Sequence, residues 1–535
     1  MLSDLFEIIK KDLRPLALGA LLSILVALYS SYAGLKIGGV YWPIVTTSLV
    51  SLAVLKLLGN TDKHEINVMQ TAASAGGLLA AGVIFTLPAL FMLGLQVSIF
   101  EVFIVCIAGG FLGIAFSYIL RKKLVEEEKL PFADGTAAAS VLSAGDEGGE
   151  KAKQLFGAFG IGALFALARD YFALFPSYFN LETLKLSFAK FFSFGSSISL
   201  ISLAGGFLIG LRFTSAWFAG ALVSYFALVP YLIFAGVSID KGAALAAFAK
   251  PLGVGIVIGS GIAYFAILGI SYFKSMKETV LGMKGGKLLF FFVFAIILLL
   301  IFTLNINPLL SVLAVLGAIL MAMLGGRITG EMNVDPMEIF AMIALLAAKF
   351  LFGFGAVHLV LLAAVVCISA GISGDILQDF KTGNLLGTPP KRQFVAEAAG
   401  ILSASLILGF LLLSFAKTGF GTMELPSPQA AALKEIISAG AFPQMLLFGA
   451  LLGFAFTLIG SRFSLGAVGI AFGIGMYVPI ELSFPLFIGG LIRYFAEKRK
   501  LEEKGRIIAG GFIAGEGLIG AILILAGAAG VLFGI

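Results

Sequence analysis

Residues Ile372–Gln393, ISGDILQDFKTGNLLGTPPKRQ, decide how the rest of the chain is read. They lie between two largely apolar runs, His358–Ala370 and Phe394–Ala416. Asp375, Gln378, Asp379 and Thr382 stand at i, i+3, i+4 and i+7, so a helix through them carries all four on one polar stripe. Lys381 sits beside that stripe, and Pro389–Pro390 stop a helix just after it. Two carboxylates at the mouth of an apolar bundle are costly to place, and an ionisable group at membrane depth is a functional candidate by default. The same spacing also suits a solvated cytoplasmic loop with helix caps.

Working outward, the 535 residues are 60% hydrophobic and only 12% charged, with a mean hydropathy of +1.07. Soluble domains carry roughly 25% charged residues. A soluble protein of this length needs far more polar surface, so the fold class is an all-α, polytopic integral membrane bundle in the cell membrane. The formal charge of +6 does not imply nucleic-acid binding, because the lysines and arginines fall in short loops between apolar runs and read as topology determinants. Cys106 and Cys367 both lie in apolar segments, so no disulfide framework is implied. Two cysteines and two histidines argue against a dedicated soft-metal site, and no cofactor is expected. The opening MLSDLFEIIKKDLRP is charged and amphipathic and lacks a cleavage-site pattern, so residues 1–14 read as a cytoplasmic interfacial lead-in.

Apolar runs of roughly 18–25 residues mark the expected crossings. They are Leu16–Tyr32, Tyr41–Leu58, Asn67–Gly94, Val102–Leu120, Leu155–Phe175, Phe191–Leu211, Ser215–Phe234 and Pro251–Tyr272, then, beyond the hydrophilic 274–287, Leu288–Leu304, Pro308–Leu324, Met337–Phe354, Val357–Ala370, Phe394–Ala416, Phe442–Ile459, Leu465–Phe487 and Ile507–Leu532. About 16 transmembrane helices fit, with a split expected in Leu465–Arg493, which contains Pro479 and Pro485. The boundary at 274–287 divides the chain into halves 15–273 and 288–535. Basic residues in Lys10–Arg14, Arg121–Lys123, 274–287, Lys381–Arg392 and Lys498–Arg506 all face the cytoplasm if the N-terminus does.

Two stretches suggest close approach of a backbone or ligand. Asn67–Gly77, NVMQTAASAGG, carries small residues at 72–77 with Asn67 and Gln70 at the same end. Leu130–Glu147, LPFADGTAAASVLSAGDE, is too short in its apolar core to cross, with Asp134 placed as an N-cap and Gly145 as a terminator. A re-entrant half-helix fits that pattern, and its first amides suit a substrate carboxylate. There is also an internal echo. Gly38-Gly39-Val40-Tyr41-Trp42-Pro43-Ile44 resembles Ile474-Gly475-Met476-Tyr477-Val478-Pro479-Ile480, and Ser74-Ala75-Gly76-Gly77-Leu78 has a counterpart in Ile513-Ala514-Gly515-Glu516-Gly517-Leu518. Both echoes run towards the same side, which favours a parallel repeat.

Among the other charged residues, Asp335 as N-cap, Pro336 and Glu338 form an expected capping arrangement, with Arg327 and Glu331 left open. Glu516 lies among small residues with no local cation in reach, and an unpaired carboxylate there can take up a proton. Glu481, after Pro479, is a weaker candidate of the same kind. His64 reads as a loop histidine and His358 as a helix-end residue.

Several stretches together resemble the oligopeptide transporter family, which includes the yellow stripe-like metal-chelate transporters: Asn67–Gly77, Leu130–Gly145, Arg327–Pro336 (RITGEMNVDP), Ser373–Pro390 (SGDILQDFKTGNLLGTPP), Tyr477–Gly490 (YVPIELSFPLFIGG) and Ala514–Gly520 (AGEGLIG). The resemblance runs from about residue 34 to the C-terminus, and the SGD-x-x-QD-x-K-x-G series is its most specific part. It implies secondary transport, usually proton-coupled, of peptides or of metal complexes with peptide-like chelators, by a large helical bundle that is often a homodimer. Gly77 stands where the family often has glutamate, and Ala133-Asp134 departs from the usual pattern. The substrate-binding residues expected are Asn67, Gln70, Ser74, Asp134, Thr136 and Gln378, with Asp375, Asp379 and Glu516 as ion-coupling groups. The expected function is proton-coupled symport of a short peptide or peptide-like solute. The alternatives are metal-chelate uptake, a channel, or an intramembrane enzyme. The last lacks an HExxH or GxSxG set, and a primary pump lacks a GxxxxGK[ST] loop.

Overall fold

In a computed structural model describing residues 2–41, 43–59, 61–143, 146–181, 191–281, 286–438, 444–462 and 468–533, the chain is a bundle of helices with one short two-stranded hairpin. Helices are what an apolar chain of this kind must form, because backbone N–H and C=O groups in hydrocarbon have no water to bond. Ten of the described helices are long and apolar enough to cross a membrane. Large side chains such as Leu402, Leu406 and Phe410, one turn apart on Pro390–Thr418, and Leu451 and Ile459 on Gln444–Ser461 face outward, as lipid contact requires.

Ala356–Leu386 is the central element. At 31 residues it is about 46 Å long, and its sides are covered by Lys63–Thr86, Ile99–Arg121, Pro308–Met332 and Met337–Phe352, with the half-helix Ala133–Ser143 against its last turns. Glycine makes the close approach possible. A Cβ at Gly82 or Gly109 would collide with Ile368, and one at Gly113 with the Ser369 carbonyl. The apolar run 358–370 and the polar stripe that follows are therefore one continuous helix. It ends at Leu386, where Gly387 takes a left-handed cap (φ 79°), and Pro390 opens the next helix.

Other expectations are corrected. Phe191–Leu211 is not one crossing. Gly195–Ser197 pairs antiparallel with Tyr178–Asn180, and the helix Leu200–Ile209 begins only at Ser199, whose Oγ caps it by accepting from the Ser202 N–H, with Ser197 Oγ donating to Ser202 Oγ. Leu465–Phe487 divides as expected into Val468–Tyr477 and Ile480–Lys498, broken at Pro479; residues 465–467 lie outside the described residues. Of segment 274–287, residues 274–281 continue the helix Lys250–Leu281, while 282–285 lie outside the described residues, as do Trp42 and Gly145. The capping arrangement at 335–338 does not form. Pro336 occupies the N-cap, and neither carboxylate oxygen of Asp335 has a hydrogen-bond partner among the described residues.

The internal echo has a structural counterpart. Pro43 and Pro479 each stand immediately before a helix, Ile44–Leu57 and Ile480–Lys498. Gly76 and Gly515 each press against a neighbouring helix so closely that a Cβ would fall on a carbonyl oxygen, that of Ser23 or of Phe159. The small-residue helices Lys63–Thr86 and Glu502–Phe533 thus use the same device at matching positions.

Candidate functional site

The stripe on Ala356–Leu386 lies wholly inside the bundle: Asp375, Gln378, Asp379 and Thr382 have no solvent exposure. It is not a solvated loop. Helix Lys63–Thr86 begins at Asp62, whose Oδ1 caps the N–H groups of His64 and Glu65. Its next turns bring Gln70 and Ser74 to Asp379. Gln70 Nε2 donates to Oδ1 at 2.6 Å and Ser74 Oγ to Oδ2 at 3.0 Å, while Asn67 Nδ2 holds Gln70 Oε1 at 3.0 Å. Gln393 donates to the backbone carbonyl of Asp379.

The other half of the stripe holds the half-helix. Gln378 Oε1 accepts from the Gly135 N–H at 2.7 Å, and Gln378 Nε2 donates to Asn333 Oδ1 at 2.6 Å. Asn333 Oδ1 also accepts from the Asp134 N–H at 3.2 Å, and Thr382 Oγ1 donates to the Gly135 carbonyl at 2.8 Å. The short helix was legible, but two of its first amides are taken by Gln378 and Asn333. Asp134 lies inside the first turn, buried, with Arg506 at 3.9 Å, and is not the cap. Thr136 is exposed and its hydroxyl turns back to the Pro131 carbonyl, so it stands apart from the others. Lys381 Nζ donates to the Leu130 carbonyl at 2.9 Å, anchoring the approach to the half-helix.

A third carboxylate completes the site. Glu397, on Pro390–Thr418, brings an oxygen within 4.8 Å of oxygens of Asp375 and Asp379, and all three residues are fully buried. Among the described residues, neither oxygen of Asp375 or of Glu397 has a hydrogen-bond partner, and no lysine, arginine or histidine pairs with any of the three. Glu397 escaped the sequence reading although it is the only charged residue in the apolar run Phe394–Ala416, the same signal that drew attention to Glu516. On the basic-loop side, Arg392 stands five residues before Glu397 on the same helix. Its Nε and Nη2 donate to Asp12 Oδ2 and Oδ1 at 2.7 and 2.6 Å, a buried bidentate pair. His64 Nδ1 lies 3.0 Å from Thr388 Oγ1 beside it.

Glu516 is elsewhere and is not unpaired. Arg169 Nη1 donates to its Oε1 at 2.7 Å, with Ser199 Oγ at 2.8 Å and the Ile201 N–H on Oε2 at 2.9 Å. Arg169 is distant in sequence but lies within the expected crossing Leu155–Phe175, where its charge was the available signal. Its remaining nitrogens chelate Asp170 at 2.6 Å. The other charged candidates have structural partners: Arg327 pairs with Glu128 and Glu331, and Glu481 accepts from Asn180 at 2.9 Å.

Two unit charges 4.8 Å apart repel by about 3.5 kcal/mol at an effective dielectric of about 20. Three such carboxylates buried together are costly to keep ionised, so the cluster is suited to take up positive charge.

Comparison with known proteins agrees with this architecture. A family model described as OPT oligopeptide transporter protein matches residues 12–286 and 285–527. Two relatives are named as putative oligopeptide transporters. One, from Haemophilus influenzae, is 28% identical over 94% of this chain and 93% of its own length; the other, from Saccharomyces cerevisiae, is 25% identical over 42% of this chain and 35% of its own. A rice protein (Oryza sativa subsp. japonica) named "Probable metal-nicotianamine transporter YSL13" is 26% identical over 27% of this chain and 23% of its own length.

Proposed function

Given that this chain belongs to the OPT oligopeptide transporter family, a multi-pass membrane family, we propose that it is a proton-coupled symporter of short peptides or peptide-like solutes. The observation that carries the coupling is the uncompensated cluster Asp375–Asp379–Glu397. A site that must take up positive charge to be stable, and that sits on the element at the centre of the bundle, is suited to bind a proton in one state and release it in another. Gln70 and Ser74 steady the Asp379 carboxylate, leaving Asp375 and Glu397 to exchange the proton.

The remaining candidates take places around it. Gln378 on the stripe and Asn67 on the facing helix are proposed to meet the solute when the half-helix Ala133–Ser143 moves, since the hydrogen bonds that hold it now are of the kind a peptide backbone can replace. Glu516 is kept as a coupling group on changed terms: it accepts a proton once Arg169 releases it and retains only Asp170. Alternating access would involve the related halves 15–273 and 288–535, with a homodimer as the assembly; the ten long apolar helices and four shorter ones such as Ile44–Leu57 are the described elements available for passages. The rice relative favours one second reading, in which the solute is a metal–chelator complex and the protein touches the chelator.

The test is uptake of labelled short peptides into proteoliposomes under an inward proton gradient, then a sodium gradient. Asp379→Asn and Glu397→Gln are expected to abolish proton-driven accumulation while counterflow of preloaded solute continues. Undiminished accumulation in both variants would show that the cluster is not the coupling site. Accumulation driven by sodium alone would replace the proton as the ion.

A further inference from the structure

At the end of the bundle opposite the Asp12–Arg392 pair lies a cavity of about 830 Å³. Its walls are the far ends of Leu13–Ile37, Pro390–Thr418 and Glu502–Phe533, together with residues 169–177. With the basic loops inside, this mouth faces out. Five charged side chains line it: Lys36, Arg169, Asp170, Lys417 and Glu424. Arg169 and Asp170 satisfy each other, and Arg169 also holds Glu516 behind the wall. The two lysines are different. Among the described residues no carboxylate forms an ion pair with Lys36, whose ammonium stands 5.5 Å from the ring centroid of Tyr32, or with Lys417, which donates to the Ala528 carbonyl at 3.0 Å. Two ammonium groups that form no ion pair among the described residues therefore face one partly enclosed space, whose lining also includes the carboxylate of Glu424.

We propose, resting on the transport reading above, that this cavity is the entry site for a carboxylate-bearing, amine-bearing solute. Lys36 and Lys417 take the carboxylate, and Glu424 takes the ammonium. An ammonium in a confined, low-dielectric wall attracts a carboxylate more strongly than it does in bulk water. The arrangement fits the two ends of a short zwitterionic peptide. It equally fits the carboxylates of an amino-carboxylate metal chelate, which shares the same recognition chemistry. A carboxylate docked here also lies beside Arg169, so that solute arrival adds negative charge next to the residue that restrains Glu516. Entry of solute and release of the buried acid then share one guanidinium.

The experiment uses the full-length protein in lipid nanodiscs with three probes: alanyl-alanine, its C-terminal amide, and the zinc complex of nitrilotriacetate. Wild-type protein is expected to bind the free acid at least tenfold more tightly than the amide. Lys36→Gln and Lys417→Gln are expected to weaken the free acid by about tenfold, the loss of one charge-assisted hydrogen bond, and to leave the amide unchanged. Binding of the zinc complex in place of the dipeptide, with the same lysine dependence, supports the site and identifies a chelate as its source. Independently of any variant, bound ligand should slow acetylation of Lys36 and Lys417, read by mass spectrometry, while leaving that of Lys153 unaltered. Equal affinity for acid and amide, or unprotected lysines under saturating ligand, overturns the site even if proteoliposomes accumulate peptide. Failure of accumulation with lysine protection intact overturns the symport reading and not this one.

Discussion

Asp379 and Glu516 are both buried acids set against helices rich in small residues, near opposite ends of a repeated pattern, yet their charges are balanced differently. Glu516 has a guanidinium at 2.7 Å, a hydroxyl and a backbone N–H. Asp379 has an amide and a hydroxyl, and its nearest ionisable neighbours are two further acids. The first arrangement is complete as it stands; the second needs a positive charge from outside. A buried acid is thus not in itself a coupling group, and what distinguishes the two sites is the company each keeps in space.

The largest effect that separates them should come from removing charge. Arg169→Gln leaves Glu516 buried without its cation, and a loss of about 3–5 kcal/mol is expected, seen as a large fall in thermal unfolding temperature in detergent. The double variant Arg169→Gln/Glu516→Gln should recover much of it, because no lone charge remains. In the acid cluster the direction reverses: Asp375→Asn or Glu397→Gln removes a like charge and should leave stability unchanged or higher. Destabilisation of the cluster variants equal to that of Arg169→Gln would erase the distinction.

A smaller effect probes what the two sites share. Gly76→Ala and Gly515→Ala each force a methyl group onto a carbonyl of the adjacent helix. Each should cost about 1–3 kcal/mol by overpacking, and the two losses should be similar if the two helices are equivalent parts of a repeat. Unequal losses, with one glycine tolerating alanine, would leave the echo as a local coincidence.

The difference between these sites also shows what the sequence could convey. The stripe was legible because helical spacing is local: Asp375, Gln378, Asp379 and Thr382 share a face whatever surrounds them. That Gln70 and Ser74 share a site with the stripe was implied by the family resemblance, while the small residues beside them indicated only that something approaches that helix closely. The pairing of Arg169 with Glu516 spans 347 residues and has no local signature, so an acid with no neighbouring cation was read as unpaired. Glu397 was missed for a different reason. It stands in an apolar run as Glu516 does, but only four residues after the polar Lys391-Arg392-Gln393, where a carboxylate reads as the end of that segment. Span counting failed where serines at 197 and 199 draw an apolar run into a strand and a short helix, since hydropathy records composition and not the hydrogen bonds that end a helix.

The smallest expected effect sharpens the boundary of the site itself. Gln378 and Thr136 were both expected to touch the solute, yet Gln378 joins the half-helix to Asn333 in the buried interior, whereas Thr136 bonds the Pro131 carbonyl at the exposed edge. Gln378→Leu leaves the Gly135 N–H without its acceptor and takes one of the donors from Asn333 Oδ1, and should cost about 2 kcal/mol. Thr136→Ala removes one exposed hydrogen bond and should cost no more than about 1 kcal/mol, with an unchanged KM for uptake. A raised KM in Thr136→Ala at unchanged stability would mean that the solute passes along the exposed face of the half-helix, and the site would have to be redrawn around that face instead of around the carboxylates behind it.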